Sequence, residues 1–220
     1  MKDIINVYKK IPEKNKFVIF GIAALITNSF YFIFKVVVGI IFNAPILIAM
    51  AIYNMIIAIV KANCSKGLLN NKDEYKDTKT YIQNGIILTI SSIFYITYAV
   101  FLSIFESNTK FHMIIAIAIA AFACFDITKS IISLIKFTGR TMIVKQYKLV
   151  NLAKAFNNIV LAQIAILSFT TDYNTYQYNS ILGVIVGTII LGIGLYLVIN
   201  GFMHLRVYTT GITNKKQRKK

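Results

Sequence analysis

This chain of 220 residues has little of what soluble chemical sites are made from: two cysteines, two histidines and eight acids against 24 bases. Cys64 and Cys124 stand far from each other and from any histidine at ligand spacing, which excludes a disulfide framework and a zinc site. No H-E-x-x-H or D-x-x-x-D falls within an apolar run, G-x-S-x-G is missing, and no glycine-rich phosphate loop precedes a helix. The sequence therefore predicts neither an enzyme nor a bound cofactor or metal.

Apolar residues are abundant instead. They make up 57% of the chain with only two prolines, and the mean hydropathy is +0.66. A soluble domain of this size could not hide so much apolar surface, so lipid must cover it. The formal charge of +16 would suggest nucleic acid in a soluble protein. Here the bases cluster between the apolar runs, and no aromatic-basic binding module is present, so a membrane is expected and nucleic acid is not. The run 17–34 follows a basic tail like a signal peptide does, but it is long and lacks a small-residue cleavage pattern. It reads as a first span that is retained.

A helix needs about 20 apolar residues to cross a hydrocarbon core of about 30 Å. Six runs approach this, at about 17–34, 44–60, 81–105, 113–135, 155–169 and 180–203, between a basic N-terminal tail (1–16) and a basic C-terminal tail (205–220). The fifth is the shortest and would need loop residues to complete its crossing. Residues 35–43 could form a short outer-surface helix or a re-entrant turn. The tails hold five and six bases and the connections 61–79 and 136–154 hold five each, while Lys35 and Lys110 stand alone on the other side. Because basic loops stay in the cytoplasm, both termini are expected inside.

An echo links "IIAIVKA" (Ile56–Ala62) with "IISLIKF" (Ile131–Phe137), and the two basic loops are equally long. Duplication of a helical hairpin would give three hairpins; chance matching of apolar segments that end in lysine is the other reading. Segment 61–79 is polar and mixed in charge, as a solvated loop would be. Segment 136–154 interleaves bases with Met142, Ile143, Val144 and Tyr147, so it either extends two helices or lies against anionic lipid headgroups. A homo-oligomer or a membrane partner is left open.

The fourth run carries Asp126 and Lys129 one turn apart. At 1.5 Å per residue, Lys129 lies about 10 Å and Asp126 about 15 Å from Lys136, which puts the acid near the midplane. A central Asp or Lys costs about 2.5–3.5 kcal/mol on insertion scales, so both are expected to face the bundle interior and, at i,i+3, to reach each other. They could form a neutralising pair that locks helices, with protonation of the acid as a variant. Alternatively they line a path for an ion, a proton or a small polar solute. Asn28, Asn54, Ser91, Ser92, Gln163 and Asn200 are the mid-span groups that would complete such a path, although each alone could serve as an interhelical hydrogen bond worth ~1 kcal/mol. Gly183, Gly187, Gly192 and Gly194 let the sixth run pack closely on a neighbour, and Tyr95, Tyr98, Tyr173, Tyr176 and Tyr178 suit interfacial anchoring near the outer face. Glu106, His112 and His204 are expected as ordinary boundary residues.

"AIYNMIIAIVK" (Ala51–Lys61), "AFACFDITKSIISLIK" (Ala121–Lys136) and "LAKAFNN" (Leu152–Asn158) resemble the patterns of a group of six-span membrane proteins of Gram-positive, especially clostridial, bacteria. Ala51, Tyr53 and Lys61 match the second span of that group. Ala121 and Lys136 match its fourth, and Lys154, Ala155 and Asn157 match the opening of its fifth. Where the pattern has an intramembrane lysine, this chain has Asp126, with Lys129 one turn later. The resemblance implies a bacterial membrane protein and brings no activity with it. The expected architecture is thus an all-α bundle of six spans in three hairpins, in a cytoplasmic membrane. Its function is expected to be that of a small transporter or channel subunit with a charged site in span four, or else of a regulatory subunit that docks lipid or a partner.

Overall fold

A computed structural model describes residues 13–41, 45–69, 74–104, 111–135, 142–170 and 176–217. They are essentially all helical: α1 (Glu13–Ile41), α2 (Pro45–Leu69), α3 (Glu74–Ile104), α4 (Met113–Ile135), α5 (Met142–Thr170) and α6 (Tyr176–Gln217). Five of these, α2 to α6, are long and apolar enough to cross a membrane, while the described apolar part of α1 is the shorter Leu25–Ile41. The protein is membrane-embedded. In lipid no water can satisfy backbone N–H and C=O groups, so Ile- and Phe-rich segments that would favour strands in water close their hydrogen bonds within a helix. Pro45 takes the first position of α2, where a missing N–H costs nothing.

Several helices outrun their apolar cores. α5 begins at Met142 rather than near Ala155, and α2 continues to Leu69. Residues 61–69 are therefore not a solvated loop, while 142–154 extend a helix, one of the two readings of that segment; Lys61, Cys64, Ser65, Gln146 and Val150 are buried among neighbouring helices. Likewise α1 runs unbroken to Ile41, so its Lys35 is a buried helical residue and not part of a surface turn. The three described bases of the fifth helix's first half all turn to other helices. Lys145 donates to the Tyr196 hydroxyl, Lys148 donates to the Ser133 carbonyl at 2.7 Å, and Lys154 meets Asp126. Lys136 and Arg140 lie outside the described residues.

The neighbours do not form three hairpins. α1 packs on α2 and α4 on α5, but α3 and α4 do not pack together among the described residues; α3 lies instead along α6. α2 also meets α3, α5 meets α6, and α2 meets α5. Exchanging α1, α2 and α3 for α4, α5 and α6 leaves this scheme nearly unchanged, the departure being a lesser contact of α3 with α5. The unit of repetition is a triplet of helices.

Burial patterns agree. Thr78, Tyr81, Gly85, Leu88, Ser92, Tyr95 and Ala99 in α3 follow alternate steps of three and four, and Ser180, Gly183, Gly187, Ile190, Gly194, Leu197 and Gly201 in α6 follow the same steps, all buried. Leu47, Met50, Asn54, Ile57 and Lys61 in α2 are matched in this way by Val150, Ala153, Asn157, Val160 and Ile164 in α5. The helices of each matched pair run antiparallel. A Cβ on Gly201 would meet Ile82, one on Gly194 would meet Thr89, and one on Gly187 would meet Ile96. Across α2 and α5, Gly67 lies against Ile143 and Cys64 against Gln146. The two triplets are thus related by a two-fold axis perpendicular to the helices.

The glycines explain how α3 and α6 hold together. Lipid tails are as apolar as leucine, so association rests on close backbone approach, which small residues permit. A Cβ at Gly194 would come within 2.9 Å of the Thr89 backbone nitrogen, whereas nothing lies within 4 Å of one at Gly192. Gly192, expected in the packing face, points away from it, and Gly201 joins the seam. α6 continues past its apolar core to Gln217, and its 42 residues span about 63 Å.

Candidate functional site

The acid in α4 is held from α5. Asn158 donates from Nδ2 to Asp126 Oδ2 at 2.8 Å, and Lys154 Nζ stands 3.8 Å from the same oxygen. Lys35 of α1 in turn donates to Asn158 Oδ1 at 3.4 Å, and the Lys154 ammonium lies 5.1 Å over the Tyr31 ring. One asparagine therefore joins an acid and a base from different helices through its two ends. The expected pair within α4 does not form: Lys129 is exposed and stands 5.9 Å over the Phe125 ring. Its long stem lets it leave the acid's face of the helix, while Lys154 approaches from across the α4–α5 contact.

Two further features surround this network. Lys61 of α2 is only 3% exposed; its ammonium lies 5.8 Å from the Tyr147 ring centre and within electrostatic reach of Lys154 and Asp126. Lys35 is equally buried. Three lysines thus converge on Asp126, the one acid within the six apolar runs.

The same helices carry amides without partners. Both polar atoms of Asn54 and of Asn157, Nδ2 of Asn28 and the Tyr53 hydroxyl are buried with no hydrogen bond. The antiparallel register fixed by Gly67 with Ile143 and Cys64 with Gln146 brings Asn54 and Asn157 to one level where α2 meets α5. Asn54 precedes Lys61 by two helical turns, and Asn28 precedes Lys35 by two turns, so each amide shares a face with its lysine. Leaving a buried polar group unpaired costs about 1–3 kcal/mol, and such groups in a folded interior call for a ligand, a water or a functional reason.

Other expected site residues are placed elsewhere. Gln163 donates to the Tyr178 carbonyl at 2.9 Å and lies 3.5 Å from Asn179, binding α5 to the start of α6. Asn200 donates to the Tyr81 hydroxyl at 3.3 Å across the α3–α6 seam. Ser91 and Ser92 bond back to the Leu88 and Thr89 carbonyls of their own helix. Of the six residues expected at the charged site, Asp126 is held by Asn158 and Lys154, Asn28 and Asn54 are buried two turns along their helices from Lys35 and Lys61, and Lys129, Gln163 and Asn200 turn to other tasks. Tyr95 is not an interfacial anchor but a buried ring 5.6 Å from Tyr53. Glu106 and Tyr173 lie outside the described residues.

Sequence reasoning missed a second polar centre. Asn84 donates to Gln146 Oε1 at 3.2 Å, the Cys64 thiol donates to the same oxygen at 3.3 Å, and Gln146 donates to the Tyr81 carbonyl at 2.8 Å. Asn63 completes it by donating to Asn84 Oδ1 at 3.2 Å. These groups satisfy one another, so this knot ties α2, α3 and α5 and offers nothing to a ligand. Its signal was faint: Cys64 and Gln146 fall in the connections 61–79 and 136–154, outside the expected spans, and Asn84 lies at the very start of the third. An apolar groove of about 380 Å³ also opens between α2 and α3, walled by Ile52, Tyr53, Phe94, Tyr95 and Phe101.

Comparison with models of known protein families and with curated proteins found no match. The site's chemistry thus stands on its own geometry. It offers ammonium and amide donors and one carboxylate, the groups that make charge-assisted hydrogen bonds.

Proposed function

We propose that the protein is a transporter or channel, or a subunit of one, for an ion, a proton or a small polar solute. It would be threaded six times through a bacterial cytoplasmic membrane with both termini inside. The observation that carries this reading is the meeting of two antiparallel helix triplets at a polar centre, where Asn158 joins Lys35 to Asp126 and stands next in α5 to Asn157, which is buried without a partner as Asn54 is. Repeats of opposite direction with a polar centre between them can open that centre to either side of a bilayer by rocking one repeat against the other. Charges at this depth are costly, and a solute path gives them a use. Reconstitution into proteoliposomes tests it. Flux of an ion or solute down a gradient, lost in Asp126→Asn while insertion is retained, is the expected result; no flux under any gradient overturns it.

A regulatory or structural subunit is the second reading, favoured by α4. Only Ala116 and Ala123 of that helix are buried, and it presents Lys129 beside Phe122 and Phe125 on the outer surface of the bundle. A partner helix, or a second copy of the chain, would cover that face. Co-purification of a stoichiometric membrane partner, lost in Lys129→Leu, would decide for it.

A further inference from the structure

We infer that the mid-bundle centre takes a small anion, held by the side-chain amides of Asn54 and Asn157 in the field of the buried Lys35, Lys61 and Lys154. This deepens the proposed function by naming the class of its solute, and it rests on that reading only for passage, not for binding. The charge balance is the first argument. Three lysines share a low-dielectric interior with one carboxylate, and that carboxylate is already engaged by Asn158 at 2.8 Å and Lys154 at 3.8 Å. Uncompensated positive charge in such a place repels cations and draws an anion.

The amides supply the second argument, independent of charge. Asn54 and Asn157 are 1% and 0% exposed, and neither has a partner for Nδ2. Each Nδ2 carries two donor hydrogens, and a compact anion between α2 and α5 would accept from both helices at once. A cation would find only the amide oxygens, with ammonium groups beside it. An uncharged polar solute would satisfy the amides but leave the lysines unbalanced, whereas an anion answers both.

Saturable binding can be measured by calorimetry on the full-length protein in nanodiscs of neutral lipid, titrated with the sodium salts of chloride, acetate and phosphate. At least one of the three should bind. Lys61→Met should weaken it by about tenfold, the loss of one nearby positive charge in a low-dielectric interior, while exposed Lys66→Met leaves it unchanged. If Lys61→Met does not give a monodisperse protein, Asn54→Leu is the replacement and carries the same expected loss. Binding of none of the three salts, or binding that Lys61→Met and Asn54→Leu leave intact, overturns the inference. Adding anionic lipid identifies the source: competition with the salts assigns the anion to a headgroup, and no competition assigns it to a free solute. Flux of cations or neutral solutes without anion binding would sink this inference and keep the transport reading; anion binding without flux would do the reverse.

Discussion

Asn158 holds the Asp126 carboxylate at 2.8 Å through its amide nitrogen and accepts the Lys35 ammonium on its amide oxygen at 3.4 Å. A neutral side chain thereby links α1 and α4, two helices that do not pack on each other directly among the described residues. The acid's fate is tied to α5, and changes there should be felt at the acid.

Removing the acid alone should destabilise the bundle, because Lys154 and Lys35 would lose the one carboxylate that balances their charge. A fully buried pair broken in this way costs about 3–5 kcal/mol, and the partial exposure of Asp126 brings the expectation for Asp126→Leu down to about 1–3 kcal/mol. The double change Asp126→Leu with Lys154→Met should recover most of that loss. Thermal unfolding in detergent checks it; a double variant no more stable than Asp126→Leu would refute the pairing.

Gly194 and Gly192 form a matched test of the α3–α6 seam. Gly194→Ala pushes a methyl group to 2.9 Å from the Thr89 backbone nitrogen, which no rotamer change can relieve, so about 1–3 kcal/mol of stability should go. Gly192→Ala meets open space and should change nothing measurable. Equal melting temperatures for the two variants would contradict the seam.

Gln146 is the hub of the polar knot, and Gln146→Leu would leave the Asn84 amide and the Tyr81 carbonyl without their buried partner. A loss of about 1–3 kcal/mol in all is expected, since the Asn84 amide keeps Cys64 as an acceptor and the Tyr81 carbonyl lies within a helix. The same burial should protect Cys64: in micelles a hydrophobic maleimide should label exposed Cys124 and reach Cys64 only after denaturation. Mass spectrometry of the labelled peptides reads the outcome, and equal labelling of both thiols would argue against the knot.

Threading can be tested in intact cells. Epitope tags on both termini should stay hidden from an impermeant reagent, while a cysteine placed at Ser107, in the connection between α3 and α4, should be labelled. Labelling of either terminus would overturn six crossings with both ends inside.

The helical, lipid-covered character of the chain was legible because hydropathy is a property of whole segments. Boundaries were not, for a physical reason: Lys145, Lys148 and Lys154 look like loop residues to a hydropathy average, yet each finds a group on another helix, and α5 continues through them. Asp126 stood out as the costly residue, but a sequence displays neighbours along one helix, so Lys129 seemed its partner when Lys154 and Asn158 approach from across a contact. The repeat was hidden for a different reason. Packing preserves the steps at which small or apolar residues fall, as from Thr78 to Ala99 and from Ser180 to Gly201, while the identities drift, so the echo between Ile56–Ala62 and Ile131–Phe137 pointed to the wrong pairing of helices.

The sixth helix is about twice as long as a hydrocarbon core of about 30 Å is thick. Its far end is basic, with Arg206 followed by Lys215 and Lys216, and Tyr208 keeps company with Tyr75 at the start of α3, their rings 6.3 Å apart. Such a rod is a handle: whatever grips or tethers the protruding end pulls on Gly201 and Gly194 without any joint to absorb the motion, and so tugs directly on the line where the two halves of the molecule meet.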